Sequence, residues 1–438
     1  MSAFAARSLA GWLEDPPALA GLVEEPARAW LARGALERGW PGRGDEAWRY
    51  TSLAGLDEER FALAAESPAP TAAQLTALTP EGVLADRVVV VNGRIVPDLC
   101  EIGPLPEGAG FGSLRAMARA AREGVREAGL LLERLDSLCR PGERAFSALN
   151  SALAGDATGL WVPDGAHLER PLLVISLVLP GAETLLSQPR LLVVLGRESQ
   201  ASVMETHGGF GARPYLCNAV SEFHLGRGAR LEHLRVQRDS AAGRRVSGAF
   251  LRLERDAQLR SHTFTVGGRL VRNEFRLELA EEGAEGEING LALLREEAHA
   301  DNHTLVEHLA PGCRSRQSFR SILAGRSRGV FTGRIRVATD ALRTDALQNC
   351  AALLVSDEAQ AVARPQLEIL ADDVKCTHGA TVGSLDEGSL FYLRSRGIPR
   401  DLARRILIHA FCSGQLARVR TSEMVKPLDR LITRTLAE

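Results

Sequence analysis

Leu195-Gly-Arg-Glu-Ser-Gln-Ala201, Leu225-Gly-Arg-Gly-Ala-Arg-Leu231 and Leu253-Glu-Arg-Asp-Ala-Gln-Leu259 share one pattern: a leucine, a turn of small and charged residues, then a small or apolar residue. A weaker fourth copy begins at Leu279-Ala-Glu-Glu-Gly283, and the starts lie 30, 28 and 26 residues apart. Around the copies, from about Gly159 to Gly383, run short apolar stretches rich in Val and Leu, separated by Gly, Asp, Arg and Glu. Strands fit that texture and helices do not. A strand, turn, strand unit that returns every roughly 20 to 50 residues marks a stacked array, in which each unit buries its apolar face only against its neighbours. The reading is a parallel β-helix. A β-sandwich with irregular strands shares the texture and stays open on periodicity alone, while a left-handed hexapeptide β-helix lacks its strict six-residue period.

The flanks read differently. Leu9, Trp12 and Leu13, then Leu31, Leu36 and Trp40, recur at helical spacing before the Pro41-Gly42-Arg43-Gly44 break. Val88 to Val91, Asn92-Gly93 and Arg94-Ile95-Val96 predict a two-residue hairpin. Leu114, Met117, Ala121, Val125 and Leu132 predict one long amphipathic helix. After Gly383, helical spacing returns in three segments, the first two separated by Gly397-Ile398-Pro399 as a C-terminal glycine and a first-turn proline. The expected division is an N-terminal helical and α+β cap over 1–145, a β-helix core over 146–385 and a C-terminal helical domain over 386–438.

The 438 residues carry a formal net charge of -2, which argues against a nucleic-acid binder, since phosphate contacts need a basic excess. Seven cysteines, at 100, 139, 217, 313, 350, 376 and 412, form no close pairs and point to a reducing compartment, the cytoplasm. No run of about 18 apolar residues predicts a membrane span, and Met1 to Ala20 lacks the apolar stretch of a signal peptide. Of the 53 basic residues only Lys375 and Lys426 are lysines, and each follows a valine, so there is no Gly-Lys-Ser/Thr phosphate loop.

Chemistry concentrates in Leu367-Glu-Ile-Leu-Ala-Asp-Asp-Val-Lys-Cys-Thr-His-Gly-Ala-Thr-Val-Gly383. In a strand, Asp372, Val374, Cys376 and His378 share one face, opposite Lys375 and Thr377. A thiolate and an imidazole about 7 Å apart along a strand are both competent ligands for iron or zinc, but they fill only two of the four usual positions. Taken alone, a Cys-x-His is more often packing than ligation.

Lys375-Cys376-Thr377-His378-Gly379-Ala380-Thr381, followed by Phe391-Tyr392-Leu393-Arg394-Ser395-Arg396-Gly397, resembles the SufB/SufD family of iron-sulfur cluster assembly proteins. Phe146-Ser-Ala-Leu-Asn150, Trp161-Val-Pro-Asp-Gly165 and Glu46-Ala-Trp-Arg-Tyr-Thr51 extend the resemblance over nearly the whole chain. Gly379 after the Cys-x-His, and the Trp-Arg-Tyr-Thr pattern, are closer to the SufD branch. The resemblance implies a right-handed parallel β-helix and pairing edge to edge with SufB. It also implies docking of the ATPase SufC on the C-terminal helices, where Phe391, Tyr392 and Phe411 exceed what a cap needs. His378 would be this chain's contribution to a transient cluster shared with SufB, with Cys376 its neighbour. The subunit itself would not be an enzyme. A reduced flavin in the complex is compatible with the resemblance, although no residue announces one, and an isolated chain can pair its exposed edge with a copy of itself as a homodimer.

Other features read structurally. Glu205 and His207 share a strand face and suit a surface or rung-stacking role. Arg314, Arg316, Arg320, Arg326, Arg328, Arg334 and Arg336 read as a solvated, ion-paired face. The C-terminal helices alone suggest a cover for the last rung's unpaired edge. The rival function is a β-helix carbohydrate-active enzyme using Asp372 and Asp373, but adjacent strand residues face opposite ways and aromatics are 5% of the chain.

Overall fold

The four repeat leucines are register partners. In the computed structural model, Leu195 pairs with Leu225, Leu225 with Leu253, and Leu253 with Leu279, in consecutive parallel strands. The spacing seen in the sequence is therefore the length of one coil. From the strand Arg190–Leu195 onward, that length runs from 26 residues (Arg244 to Leu270) to 32 (Arg328 to Gln360). The turn after each leucine holds one residue in the left-handed region, with φ of 55° at Glu198, 68° at Gly228, 57° at Asp256 and 76° at Gly283. Each of these N–H groups bonds a carbonyl in the next coil's turn, Glu198 to Arg227 and Gly228 to Arg255 at 2.8 Å, so the turns stack as the strands do. Glycine takes that conformation without side-chain strain.

The structure describes residues 40–437 except 43, 55, 57, 58, 60, 64–67 and 182. The helical reading of Leu9, Trp12, Leu13, Leu31 and Leu36 lies outside the described residues. The described chain forms a β-solenoid with two sheets. One sheet stacks Asp86–Val91, Leu172–Val178, Gln200–Gly209 and every second strand thereafter, ending at Val374–Ser384. The other stacks Thr158–Val162, Arg190–Leu195, Tyr215–Leu225 and their successors, ending at Gln360–Ile369. From coil to coil the pairs are parallel, because each strand returns after a full turn.

Between the sheets, the positions beside the leucine turns are apolar: Val193, Phe223, Leu251, Leu277, Ile335 and Val337 pack into one cluster. Further along the same strands the inward positions become polar. Arg235 and Arg245 are among the largest fully buried side chains and are matched by Glu205 and Asp239. Buried charge is tolerable only when paired and hydrogen-bonded.

The two outer faces are covered by different ends of the chain. Trp48, Leu53, Leu56 and Phe61, with Phe146 and Leu149 of the helix Ala145–Leu153, cover Leu216, Val246 and Leu270. Trp48 stacks on Phe146 at 5.2 Å, the Arg272 guanidinium lies 3.9 Å from the Trp48 ring, and Thr51 Oγ1 donates to Asp301 at 2.6 Å. The Trp-Arg-Tyr-Thr motif thus clamps the N-terminal segment onto the solenoid. The opposite face, with Leu234, Phe264, Leu291 and Ile322, is covered by Ile408, Cys412 and Leu416 of the helix Arg400–Leu416 and by Met424, Leu428 and Ile432 of the helix Ser422–Ala437.

Two local expectations change. The stretch expected as one helix is two, Leu114–Arg122 and Arg126–Leu132, broken where Gly124 adopts φ 93°. Pro399 stands one position earlier than expected, as the N-cap of Arg400–Leu416, while Gly397 takes the left-handed φ of 85°. The Asn92-Gly93 hairpin forms as read, with φ of 52° and 85°. Its first strand also joins the solenoid, parallel to Leu172–Val178.

Candidate functional site

The two ends of the solenoid differ. At the N-terminal end both sheets finish in antiparallel strands, Arg94–Ile95 on one and Gly110–Ser113 on the other. At the C-terminal end, Val374–Ser384 and Gln360–Ile369 each have a partner on one side, and among the described residues no strand pairs with the other. The C-terminal helices lie along the outer face, not across this rung, so the expectation that they cover its edge is replaced by an open one. Two long strands, of 11 and 10 residues, present unpaired backbone donors and acceptors, which templates pairing with another chain.

Cys376 and His378 lie on that last strand. Val374 and Cys376 lean on the interior cluster, which fixes their face as the inward one, and His378 follows with the same parity. Cys376 is half-buried over its register partner Ala346, and burial pushes its thiol pKa up. His378 is exposed, and its register partner is Gln348, which has no exposure. The imidazole therefore looks out of the open end with a buried amide beneath it. Gln348 carried no motif in the sequence; the signal that finds it is its register opposite His378.

Among the described residues, three ligand-type side chains come within 4.8 Å of one another at Asp136, Cys139 and Glu222. Arg190 fills that cluster, donating to Asp136 and Glu222 at 2.6 Å each and to Ser151 at 2.8 Å. Burial pushes the Cys139 thiol well up, so the group works as a buried ion-pair network that ties residues 136–139 to the solenoid. Glu205 and His207 are inside the solenoid. Glu205 accepts from Arg235 and His233 at 2.8 Å and from Ser221 at 3.0 Å. Burial, with Arg245 nearby, lowers the His207 pKa to about 4 and keeps it neutral. Of the two roles read for this pair, rung stacking is the one observed.

The arginine run divides between two sheets and is largely paired: Arg314 with Glu285 at 3.3 Å, Arg316 with Asp345 at 2.6 Å, and Arg336 with Glu307 and Glu368 at 3.5 Å. Phe391 and Tyr392 are 73% and 57% exposed on the helix Glu387–Ser395. Leu402 and Ile406 on the next helix are also exposed. Phe411 is half-buried on the solenoid side, with the Arg320 guanidinium 4.9 Å from its ring. All seven cysteines are free, and among the described residues no helix is long and apolar enough to cross a membrane.

Comparison with known proteins agrees with this architecture. The family model described as SUF system FeS cluster assembly, SufBD core domain, matches residues 178–411, and that of the SufBD protein N-terminal region matches 27–174. An iron-sulfur cluster assembly SufBD family protein of Synechocystis is 30% identical over 387 residues, covering 86% of this chain and 84% of the relative. The iron-sulfur cluster assembly protein SufD of Escherichia coli is 32% identical over 380 residues, covering 86% and 85%. A chloroplastic protein of Arabidopsis thaliana is 28% identical over 394 residues, covering 86% and 79%. With its β-solenoid core and these matches along both halves, the chain belongs to the SufBD family of SUF-system iron-sulfur cluster assembly proteins and is a homologue of SufD.

Proposed function

We propose that this chain is the SufD-like scaffold subunit of a SufB, SufC and SufD complex, and that its C-terminal β edge joins SufB to form the cluster-assembly site. The observation that carries this reading is the open last rung, with His378 exposed on an inward-facing position at the edge of the solenoid. A single imidazole is an incomplete coordination shell for an iron-sulfur cluster, which takes four protein ligands as a rule. A second chain pairing along Val374–Ser384 brings its own side chains to the same seam. The cluster is cargo, assembled and passed on.

In this reading His378 is the ligand and Cys376 its neighbour. The raised pKa of Cys376 favours the thiol over the thiolate that metals bind, which gives His378 the leading part. Val374 and Cys376, inward on the same strand, set the register that aims it, whereas Asp372 and Asp373 lie exposed in the bend before the strand and not within it as the sequence suggested. The first two C-terminal helices divide their work between the solenoid and a partner. Ile408, Cys412, Leu416 and the half-buried Phe411 hold the helices to the solenoid, while Phe391 and Tyr392, with Leu402 and Ile406, form the SufC dock.

The subunit is non-catalytic; ATP hydrolysis belongs to SufC. The proposed compartment is the cytoplasm, where seven free thiols persist. Domain limits of 1–145, 146–385 and 386–438 remain the working division, with the strand Asp86–Val91 crossing from the first into the core sheet. A reduced flavin, if one binds, belongs to the complex; the isolated chain can close its edge on a second copy.

The testing experiment is co-expression of the tagged chain with SufB and SufC. Co-purification of both partners supports the assembly, and cleavage of a polysaccharide by the chain alone, with no partner retained, overturns it in favour of a carbohydrate-active β-helix.

A further inference from the structure

Among the described residues, Gln348 is the one whose two side-chain polar atoms are both buried without a partner. It points inward from the strand Thr344–Leu354, is fully buried, and neither its Oε1 nor its Nε2 has a hydrogen-bond partner. Leaving a buried amide unsatisfied costs about 1–3 kcal/mol per group, so native chains almost always pair such atoms. Its neighbour in the previous coil is Gln317, whose Oε1 is taken by Thr304 Oγ1 at 2.7 Å and whose Nε2 is likewise buried without a partner and makes no hydrogen bond to Gln348. Across the interior it meets Gly333, where a β-carbon would collide with the Gln348 amide nitrogen; the opposite sheet has been cleared for this side chain. On the fourth side lies His378, the register partner. Neither ring nitrogen of His378 is hydrogen-bonded among the described residues.

Two uncommitted amide atoms thus sit one strand, about 4.8 Å, beneath an uncommitted imidazole on the same face. A neutral histidine can ligate through only one nitrogen, and the hydrogen bond made by the other decides which. The geometry points to Gln348 as the positioning residue for His378: in the assembled complex Oε1 accepts the imidazole N–H, which fixes the tautomer and turns the bare nitrogen outward to the cluster. The inference rests on the proposed role of His378 and adds the residue that orients it. Leucine at 348 keeps the bulk and removes the acceptor, while glutamate keeps an acceptor oxygen.

The test uses the full complex, with Gln348→Leu, Gln348→Glu and His378→Ala, and solid-state NMR of ring-15N-labelled histidine, the His378 signals being those absent in H378A. In the wild-type complex the two His378 nitrogens resonate as one protonated and one bare site. With Q348L they move toward the average of exchanging tautomers and cluster yield falls by about tenfold, the loss usual for removing a ligand's hydrogen-bond partner; Q348E restores the fixed tautomer and the yield. Unchanged nitrogen signals in Q348L overturn the inference, whatever the yield. If H378A leaves the yield intact while Q348L still scrambles the tautomer, the ligand assignment of His378 fails and the Gln348 contact stands.

Discussion

Arg245 and Asp239 face each other inside the solenoid with two guanidinium nitrogens on one carboxylate, at 2.7 and 2.8 Å, and neither side chain has any exposure. Arg245 also donates to Cys217 Sγ at 3.0 Å, and Asp239 accepts from the Tyr215 hydroxyl at 2.7 Å. Removing one member leaves the other charged and dry. Arg245→Ala is expected to destabilise the chain by about 3–5 kcal/mol. Urea denaturation of the single variants against the double variant Arg245→Met, Asp239→Leu measures this. The double variant should be much closer to wild type than either single, because it removes both charges together.

Tyr215 depends on two glycines. A β-carbon on Gly209 or Gly243 would fall on the Tyr215 phenol oxygen. Gly209→Ala therefore has to push the ring off Asp239, and a loss of about 1–3 kcal/mol is expected, as for overpacking elsewhere. Gly42→Ala, which meets nothing within 4 Å, is the control and should stay within about 0.5 kcal/mol of wild type.

Stability should fall in mild acid. His308 has no exposure, its Nε2 is 2.8 Å from Ser315 Oγ, and burial lowers its pKa from 6.5 to about 4, with Asp345 opposing. The unfolded imidazole takes a proton near pH 6.5, and the folded one does not until about pH 4. Its stabilisation is complete above the first value and lost as pH falls toward the second, by up to about 1.4 kcal/mol per pH unit for one proton. His224, His262 and His299 are lowered to about 4 as well, also chiefly by burial, and steepen the same window. In His308→Gln the slope of unfolding free energy against pH between 6.5 and 4 should drop by one proton's share; an unchanged slope would show that His308 titrates normally.

Phe391 and Tyr392 can be removed cheaply. Both rings are exposed, so the double alanine variant should melt within about 1–2 °C of wild type, the usual range of a surface change. Retention of SufC should nevertheless fall at least tenfold if they anchor it, as read by co-purification. Loss of SufB in the same variant would point to a folding defect, not a dock.

The solenoid was legible because its turns repeat. Leu195, Leu225, Leu253 and Leu279 mark one place in each coil, and their spacing is the coil length. The interior was not legible to the same depth. Strands buried on both faces lose the alternation that separates inside from outside, so Arg235, Arg245 and Glu205 look like surface charges in sequence. The two-helix break at Gly124 was hidden by an apolar period that continues across it. Helical spacing also located the C-terminal helices without saying what they cover, since a lone amphipathic face fits an outer sheet surface as well as a last rung. His378 was visible through its motif, whereas Gln348 became visible only through pairing across 30 residues.

The most direct measurement is cluster formation in the purified complex carrying His378→Ala. The substitution is at an exposed position on an edge strand, so the subunits should assemble in the same ratio. Iron and acid-labile sulfide in that complex should fall at least tenfold if the imidazole is a ligand at the seam. An intact complex with wild-type iron and sulfide content would contradict the account.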